Sequence, residues 1–170
     1  MGDASIRRAG DEDCEVLAEL GRDTFVETFA HLYPPEDLSA FLEEAYAPEV
    51  FELFLAHPGH AMWIAEQDGQ AIGYVHAGPC ALPHRDATDG CGEVKRLYVR
   101  RPFQSGGLGG RLLRTAMDWL EAPGRVLWVG VWSQNHGAQR LYGRYGFAKV
   151  GEYRFPVGKT QDHEFIMRRG

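Results

Sequence analysis

The chain has 170 residues, of which 44% are hydrophobic, and its net charge is −6. That size and composition fit one globular core and predict a single domain over residues 1–170. Because no apolar run is long enough for a secretory leader or for the roughly 18 residues of a membrane span, we predict a cytoplasmic protein without a membrane partner. Three cysteines without a C-x-x-C pair disfavour a disulfide framework and a zinc knuckle.

The first third of the chain predicts one strand and three helices. A short strand at 5–9 precedes a helix from Asp11 to about Phe29, which begins beside acidic capping residues. Pro35 suits the first turn of a second helix, and Pro48 begins a short third one. The apolar stripes are expected at Val16, Leu17, Leu20 and Thr24 in the first helix, and at Leu38, Phe41, Leu42 and Ala45 in the second.

The middle of the chain predicts an antiparallel hairpin and a further strand. Asp68-Gly69 favours the positive φ of a tight turn and separates strand-like runs at 62–66 and 71–77. A polar segment with proline and glycine follows, and the next strand is expected at 93–99.

The last third of the chain predicts a helix at 108–120 and then an apolar strand at 126–132. This strand does not alternate, which is typical of a central strand covered on both faces. A helix at about 136–145 and two strands near 148–153 and 163–168 complete a mixed α/β order.

A glycine-dense loop lies between the strand at 93–99 and the helix at 108–120. Glycines permit positive φ and close main-chain approach, and a helix start adds unpaired N–H groups and a positive dipole end, so a phosphate or pyrophosphate ligand is predicted. The sequence of the loop does not match the motif of a P-loop, a dinucleotide-binding fingerprint or a nucleophile elbow. A flexible linker is disfavoured because apolar residues at helical spacing follow at once. The loop reads Gln104-Ser105-Gly106-Gly107-Leu108-Gly109-Gly110.

Charge is divided unevenly along the chain. Residues 1–93 carry 19 acidic and 4 basic side chains, whereas residues 94–170 carry 5 acidic and 14 basic ones. The basic half suits a polyanionic ligand and the acidic half a cationic one, since complementary fields speed association. The alternative is that halves of a sequence need not be separate faces, and that the charges only solvate the surface.

A second distinctive segment runs from Asn135 to Phe147, reading NHGAQRLYGRYGF. With the loop from Gln104 to Gly109, it resembles the two acetyl-CoA signatures of the GNAT superfamily of N-acetyltransferases, Q/R-x-x-G-x-G/A and a run with Asn, Ala, Leu-Tyr and Gly-Phe. The segment from Thr24 to Leu38 resembles, less specifically, the bacterial spermidine/spermine acetyltransferase branch. The resemblance implies a GNAT-like mixed, mostly antiparallel central sheet flanked by helices, with a central strand, glycine loop, helix and strand unit. It also implies acetyl transfer from acetyl-CoA to a primary amine.

The chemistry implied by this resemblance needs a base and an acid. An alkyl ammonium with a pKa of about 10.4 must lose a proton before its nitrogen can attack a thioester. The resemblance implies Glu93 as the base, acting directly or through a water. The alternative is that Glu93 merely begins the strand or pairs with Arg96 or another cation. It implies Tyr142 as the acid that protonates the leaving thiolate, and core packing is the alternative.

The same resemblance implies the cofactor contacts. Main-chain groups of the strand before the loop would pair with the pantetheine amides. Arg100, Arg101 and Arg111 are expected near the nucleotide phosphates, and the alternative for each is a solvated basic face. The histidines form no ligand pair on one helix face, so no metal is expected. The cofactor-binding residues implied are Leu97, Tyr98, Val99, Gln104, Ser105, Gly106, Gly107, Leu108, Gly109, Gly110, Asn135, Tyr142 and Arg144.

The acceptor amine is indicated by a less specific pattern. Phe25, Phe29 and Tyr33 in the acidic half suit a methylene-rich polycation such as spermidine or spermine, although Phe25 and Phe29 at i and i+4 also suit a buried stripe. One alternative is a protein N-terminus or lysine, which would need an open groove between the early helices and the final hairpin. Another is a CoA-binding regulatory module without turnover. The net acidity of the chain disfavours binding to nucleic acid. Many relatives are dimers, so a homodimer is possible by resemblance, but the sequence itself indicates no interface.

Overall fold

The computed structural model describes residues 3–170, and its elements follow the predicted order. Three short 3-10 turns at 11–13, 30–32 and 101–103 lie between longer elements. The helices are α1 (Cys14–Phe29), α2 (Pro35–Ala45), α3 (Pro48–Ala56), α4 (Leu108–Leu120) and α5 (His136–Arg144). The strands are β1 (Ser5–Arg8), β2 (Ala61–Gln67), β3 (Gln70–Pro79), β4 (Gly92–Val99), β5 (Leu127–Trp132), β6 (Ala148–Val157) and β7 (Thr160–Arg169).

The seven strands form one sheet in the order β1-β2-β3-β4-β5-β7-β6. Neighbouring strands are antiparallel except β4 and β5, which are parallel and joined through the glycine loop and α4. The prediction of a mixed, mostly antiparallel sheet with a central strand, loop, helix and strand unit is therefore confirmed.

Helices cover the sheet on both faces. One apolar cluster joins α4 and α5 to the sheet, and the predicted α4 stripe residues Leu112, Ala116 and Leu120 are fully buried in it. The opposite cluster joins α1, α2 and α3 to the sheet. Trp128 of β5 is fully buried in a third, smaller apolar cluster. The strand β5 is therefore covered on both faces, as its unbroken apolar run predicts.

The central strands β4 and β5 separate partway along their length. They pair only over Gly92–Val94 and Leu127–Val129, after which β4 continues beside β3 and β5 beside β7. Lys95 is an extra residue in the β3 register, where Ala77 faces Val94 and His76 faces Arg96. Such a bulge bends and twists its strand. The sheet therefore opens into a cleft at its centre.

Two predictions about local structure need correction. Val16 is 40% exposed, because it lies at the edge of the helical stripe formed by the buried Leu17, Leu20 and Thr24. The last two strands extend beyond their predicted ends and form a long hairpin. Gly158 occupies the turn of this hairpin with φ +59. A Cβ added there would lie only 2.6 Å from Asp37 of α2, so the hairpin tip lies against the early helices.

Candidate active site

The glycine loop forms an open main-chain cradle at the start of α4. Ser105 and Gly107 both have positive φ, at 72° and 82°, and Gly107 is the N-cap of the helix. A serine in that region is strained, and such strain is found mainly at functional sites. An added Cβ at Gly106 or Gly107 would meet nothing within 4 Å. Unpaired N–H groups at the helix start therefore border free space that suits an anion.

The later glycines of the loop bring α4 and α5 together. A Cβ at Gly109 would lie 3.6 Å from Leu141, and one at Gly110 would lie 3.2 Å from the Tyr145 hydroxyl. That hydroxyl donates a hydrogen bond of 3.3 Å to the Gly110 carbonyl. Leu108 is buried in the core. Close helix packing thus places the two sequence signatures side by side.

Three contiguous cavities, which together form the groove, run from the glycine loop across the open centre of the sheet. The loop cavity, of about 380 Å³, lies between the glycine loop and α5. The cleft, of about 340 Å³, lies where β4 and β5 part. The chamber, of about 180 Å³, is lined by rings of α1, α2 and β6 and by acidic side chains of β4 and β7. The loop cavity and cleft share Leu97, Val99, Gln104, Asn135, Ala138 and Tyr142, and the cleft and chamber share Phe29, Lys95, Arg96, Tyr98, Gly130 and Glu164.

The predicted pantetheine strand lies along the cleft. Leu97, Tyr98 and Val99 all line it, and the edge of β4 beyond Val94 has no pairing partner on the β5 side. Gln104 donates a hydrogen bond of 2.9 Å from Nε2 to the Val99 carbonyl, which ties the loop to the end of the strand. This free strand edge can pair with amide groups as another strand would.

Asn135 and Arg144 mark the two ends of α5. The Asn135 Oδ1 atom accepts a 3.1 Å hydrogen bond from the N–H of Ala138, so this residue caps the helix and also lines the cleft and the loop cavity. Arg144, the last residue of α5, lines the loop cavity.

The basic residues after β4 are largely engaged with the early helices. Arg100 pairs with Asp23 of α1 at 2.8 Å and lines none of the three cavities. Arg101 lines the cleft, and its main-chain N–H donates to Glu27 at 2.8 Å. Arg111 is exposed on α4. The charge difference between sequence halves is therefore partly neutralised by contacts between them.

Tyr142 projects from α5 into the centre of the groove. It is buried, at 6% exposure, and lines both the cleft and the loop cavity. Burial, and then the negative charge of Glu164, raise the pKa of Tyr142 well above its ordinary value. The hydroxyl therefore stays protonated at neutral pH and can act as a proton or hydrogen-bond donor.

Glu93 lies in the chamber rather than in the cleft with Tyr142. Its Oε1 atom accepts hydrogen bonds from Lys95 Nζ at 3.1 Å and from the Ala81 N–H at 3.0 Å. The alternative of an ion pair with Arg96 or another cation is met by Lys95, whereas Arg96 stacks over Tyr46, 4.6 Å from its ring centre. Glu93 is thus a buried, partnered carboxylate.

The sequence prediction missed Glu164 and Asp162 of β7. Both line the chamber, and the Tyr33 hydroxyl donates a hydrogen bond to Asp162. Burial, and then the charge of Asp162, raise the pKa of Glu164 to about 8. Alternation in β7, which sets residues 162, 164 and 166 on one face with the buried Ile166, was the available signal.

No candidate metal site or membrane helix is found in residues 3–170. His60 Nδ1 lies 2.9 Å from His76 Nε2, but the described residues contain no group of three histidine, cysteine or acidic side chains able to hold a metal ion. Among the same residues, no helix combines the length and apolarity needed to cross a bilayer.

Comparison with known proteins identifies the family. The model of the acetyltransferase (GNAT) family matches residues 22–147, and the chain therefore belongs to that family of N-acetyltransferases. An uncharacterized N-acetyltransferase in the pepI 3′ region of Lactobacillus delbrueckii subsp. lactis is 27% identical over 173 residues, covering 99% of this chain and 98% of that protein.

Solved structures of this family share the fold. The PaiA N-acetyltransferase of Thermoplasma acidophilum, in complex with coenzyme A, has a TM-score of 0.78 at 21% identity and 99% coverage of both chains. The yncA protein of Salmonella typhimurium, with its cofactor acetyl-CoA, has a TM-score of 0.68 at 24% identity, covering 98% of this chain and 93% of that one.

Proposed function

We propose that this protein transfers the acetyl group of acetyl-CoA to a small primary alkyl amine that carries a further positive charge, such as spermidine or spermine. Residues 1–170 would form one N-acetyltransferase domain that acts in the cytoplasm, a location that its three free cysteines support. Family membership supports the reaction. The acidic, aromatic chamber at the end of the groove carries the proposal for the acceptor.

The loop cavity and the cleft suit coenzyme A. Open space before Gly106 and Gly107 and the N–H groups at the start of α4 would hold the pyrophosphate, with Ser105 and Gln104 shaping the loop. The free edge of Leu97–Val99 would hold the pantetheine arm, with Asn135 opposite and Arg144 near the nucleotide end. The coenzyme A in the similar Thermoplasma structure supports this assignment.

Two side chains are proposed for the proton transfers. Acetyl-CoA supplies an acetyl thioester, and a primary ammonium costs roughly 4 to 5 kcal/mol to deprotonate at neutral pH. The Tyr142 hydroxyl would donate a proton to the departing sulfur, since it stays protonated beside the cleft. Glu93 would accept a proton through a water, because it lines the chamber and not the cleft.

Closure of the chamber supports a small amine over a protein acceptor. A protein chain would need an open groove between the early helices and the final hairpin. Here Thr160 of β7 donates a 2.7 Å hydrogen bond to Asp37 of α2, and the rings of Phe41 and Phe155 meet at 5.8 Å. These contacts join the early helices to the final hairpin, which disfavours an open groove between them.

Release of free thiol from acetyl-CoA tests the proposal. The protein would be assayed with spermidine, spermine, a neutral-tailed monoamine such as butylamine, and an array of peptides with free N-termini or lysines. We expect turnover with the polyamines at a KM well below that for butylamine, and little with peptides. Preferred turnover of peptides would favour the protein-directed function, and tight cofactor binding without thiol release for any amine would favour a regulatory module.

A further inference from the structure

Glu164 lies where the cleft and the chamber meet. Among residues 3–170 it is the one acidic side chain that lines both the cleft and the chamber. Tyr142 lines the cleft from α5, and Phe29 lines both cavities from α1. An amine that extends from the chamber into the cleft would therefore lie near Glu164.

Glu164 is also the chamber carboxylate that lacks a partner. Its Oε2 atom is buried and has no hydrogen-bond partner among residues 3–170. Asp162 accepts from the Tyr33 hydroxyl, and Glu93 accepts from Lys95 and a main-chain N–H. A buried polar atom without a partner is costly in a folded protein, and such an atom in a cavity is completed by a water, an ion or a ligand.

Charged groups of both signs surround Glu164. Lys95 is already paired with Glu93, and the Arg96 guanidinium is stacked over aromatic rings, with its Nη1 atom buried and without a hydrogen-bond partner among residues 3–170. Burial, and then Asp162, raise the pKa of Glu164 to about 8, much nearer the value of an alkyl ammonium than an ordinary glutamate is. The titratable and charged groups that face it are Asp162, Glu93, Lys95 and Arg96, and the tyrosines 33, 98, 142 and 153.

We propose that Glu164 binds the reactive ammonium of the acceptor and removes its first proton. This inference rests on the proposed amine acetyltransferase function and adds to it the residue that meets the acceptor. Phe29 and neighbouring rings would hold the methylene chain beside it.

The proton and bond changes balance. One N–H bond of the ammonium breaks, its proton moves to the Glu164 carboxylate, and the electron pair remains on nitrogen. The nitrogen forms a bond to the acetyl carbon, the C–S bond breaks, and the sulfur takes a proton from Tyr142. Glu93, through water, takes the second proton that leaves nitrogen, and Tyr142 regains one. The net products are the amide, the free thiol and one proton released to solvent.

A pH profile of kcat/KM with spermidine tests this role. For the parent we expect a rise that levels off above about pH 8, because only the ionised carboxylate can take the proton. Glu164→Gln should lower kcat/KM at pH 7 by about 100-fold or more, and its rate should keep rising toward the pKa of the amine without levelling. Glu93→Gln should lower the rate and keep the parental profile. Glu152→Gln, an exposed glutamate of β6, should match the parent.

Proton release on amine binding gives a second readout, independent of turnover. At pH 7 the empty Glu164 is largely protonated, so spermidine binding to the protein with coenzyme A should release about one proton from the parent and none from Glu164→Gln. Calorimetry in two buffers of different ionisation enthalpy measures this number. Glu164→Asp, which keeps a carboxyl, should retain the plateau and the proton release even if Glu164→Gln folds poorly.

If the parent releases thiol with spermidine and Glu164→Gln keeps the same profile and proton release, Glu164 has no such role and the acetyltransferase proposal stands. If the parent releases no thiol with any primary amine, both proposals are wrong.

Discussion

The two ends of the groove are built from different kinds of group. At the loop end, main-chain N–H groups and glycines come from one continuous stretch, residues 104–110, packed against α5. At the chamber end, side chains come from α1, α2, β4, β6 and β7. Cofactor binding at the loop end therefore depends mainly on main-chain groups, whereas the choice of acceptor at the chamber end depends on side chains. The comparison indicates that cofactor binding and acceptor choice can be altered separately.

Electrostatics differ between the two ends in the same way. At the loop end the helix start supplies partial positive charge from its main-chain N–H groups, and Arg144 adds a basic side chain. At the chamber end Glu93 is neutralised by Lys95, and Glu164 keeps a buried oxygen without a partner. Two of the three carboxylates that line the chamber, Asp162 and Glu164, come from the basic half of the chain, and Glu93 comes from the acidic half.

The largest expected effect is at Tyr142, where the cleft and the loop cavity meet. Tyr142→Phe should lower kcat by about 100- to 1,000-fold, because the departing sulfur loses its proton donor. The Kd for acetyl-CoA, measured by calorimetry, should stay within a few fold. Tyr145→Phe on the same helix, whose hydroxyl bonds the Gly110 carbonyl, is the matched control and should keep near-parental kcat. Equal losses in both variants would assign Tyr142 to packing alone.

A second large effect concerns stability at the chamber end. The pKa of Glu164 in the folded protein is about 8 against an ordinary 4.5, so the folded state holds a proton that the unfolded state lacks between these values. The free energy of unfolding should therefore fall as pH rises through this window, by on the order of 3 kcal/mol between about pH 5 and about pH 9.

Glu164→Gln should remove that part of the pH dependence. Urea unfolding of parent and variant at both pH values measures the difference in slope. Parallel curves would mean that Glu164 ionises at its ordinary pKa and that the chamber does not hold an unpaired carboxylate.

A smaller effect is expected for Gly107→Ala at the loop end. An alanine Cβ is strained at φ 82°, so the substitution should lower the free energy of unfolding by about 1 kcal/mol. Because it also disturbs the main-chain cradle, it should raise the Kd for coenzyme A by about 10-fold. Gly124→Ala is the control, because Gly124 has φ 75° and the same open surroundings after α4. It should lose similar stability and no affinity. Equal Kd values for coenzyme A in the two variants would show that the glycine loop does not bind the cofactor.

The smallest effect is expected at the outer wall of the chamber. Thr160→Val removes the hydrogen bond to Asp37 that joins the final hairpin to α2, and should raise the KM for spermidine by about 2- to 5-fold. The Kd for acetyl-CoA should not change. Thr115→Val, which removes a local hydrogen bond within α4, serves as the control and should alter neither constant. A change in cofactor affinity with Thr160→Val would show that the two ends are coupled.

Sequence reasoning predicted the loop end better than the chamber end, for a physical reason. Periodicity and glycine placement are local, so the bounds of α4 and the unbroken apolar β5 could be predicted from neighbouring letters. The chamber depends on contacts such as Tyr33 with Asp162, which are 129 residues apart in the chain. The opening between β4 and β5 depends on a one-residue bulge at Lys95, which leaves no distinct pattern of letters.

The most direct test of the groove is a crystal structure with a bisubstrate analogue in which spermidine is joined through an acetyl link to the sulfur of coenzyme A. We expect the pyrophosphate at the N–H groups of Leu108–Gly110, the sulfur within hydrogen-bond reach of the Tyr142 hydroxyl, and the linked nitrogen within about 3 Å of Glu164. A pyrophosphate bound away from the glycine loop, or a polyamine chain that leaves the cleft without entering the chamber, would contradict the account.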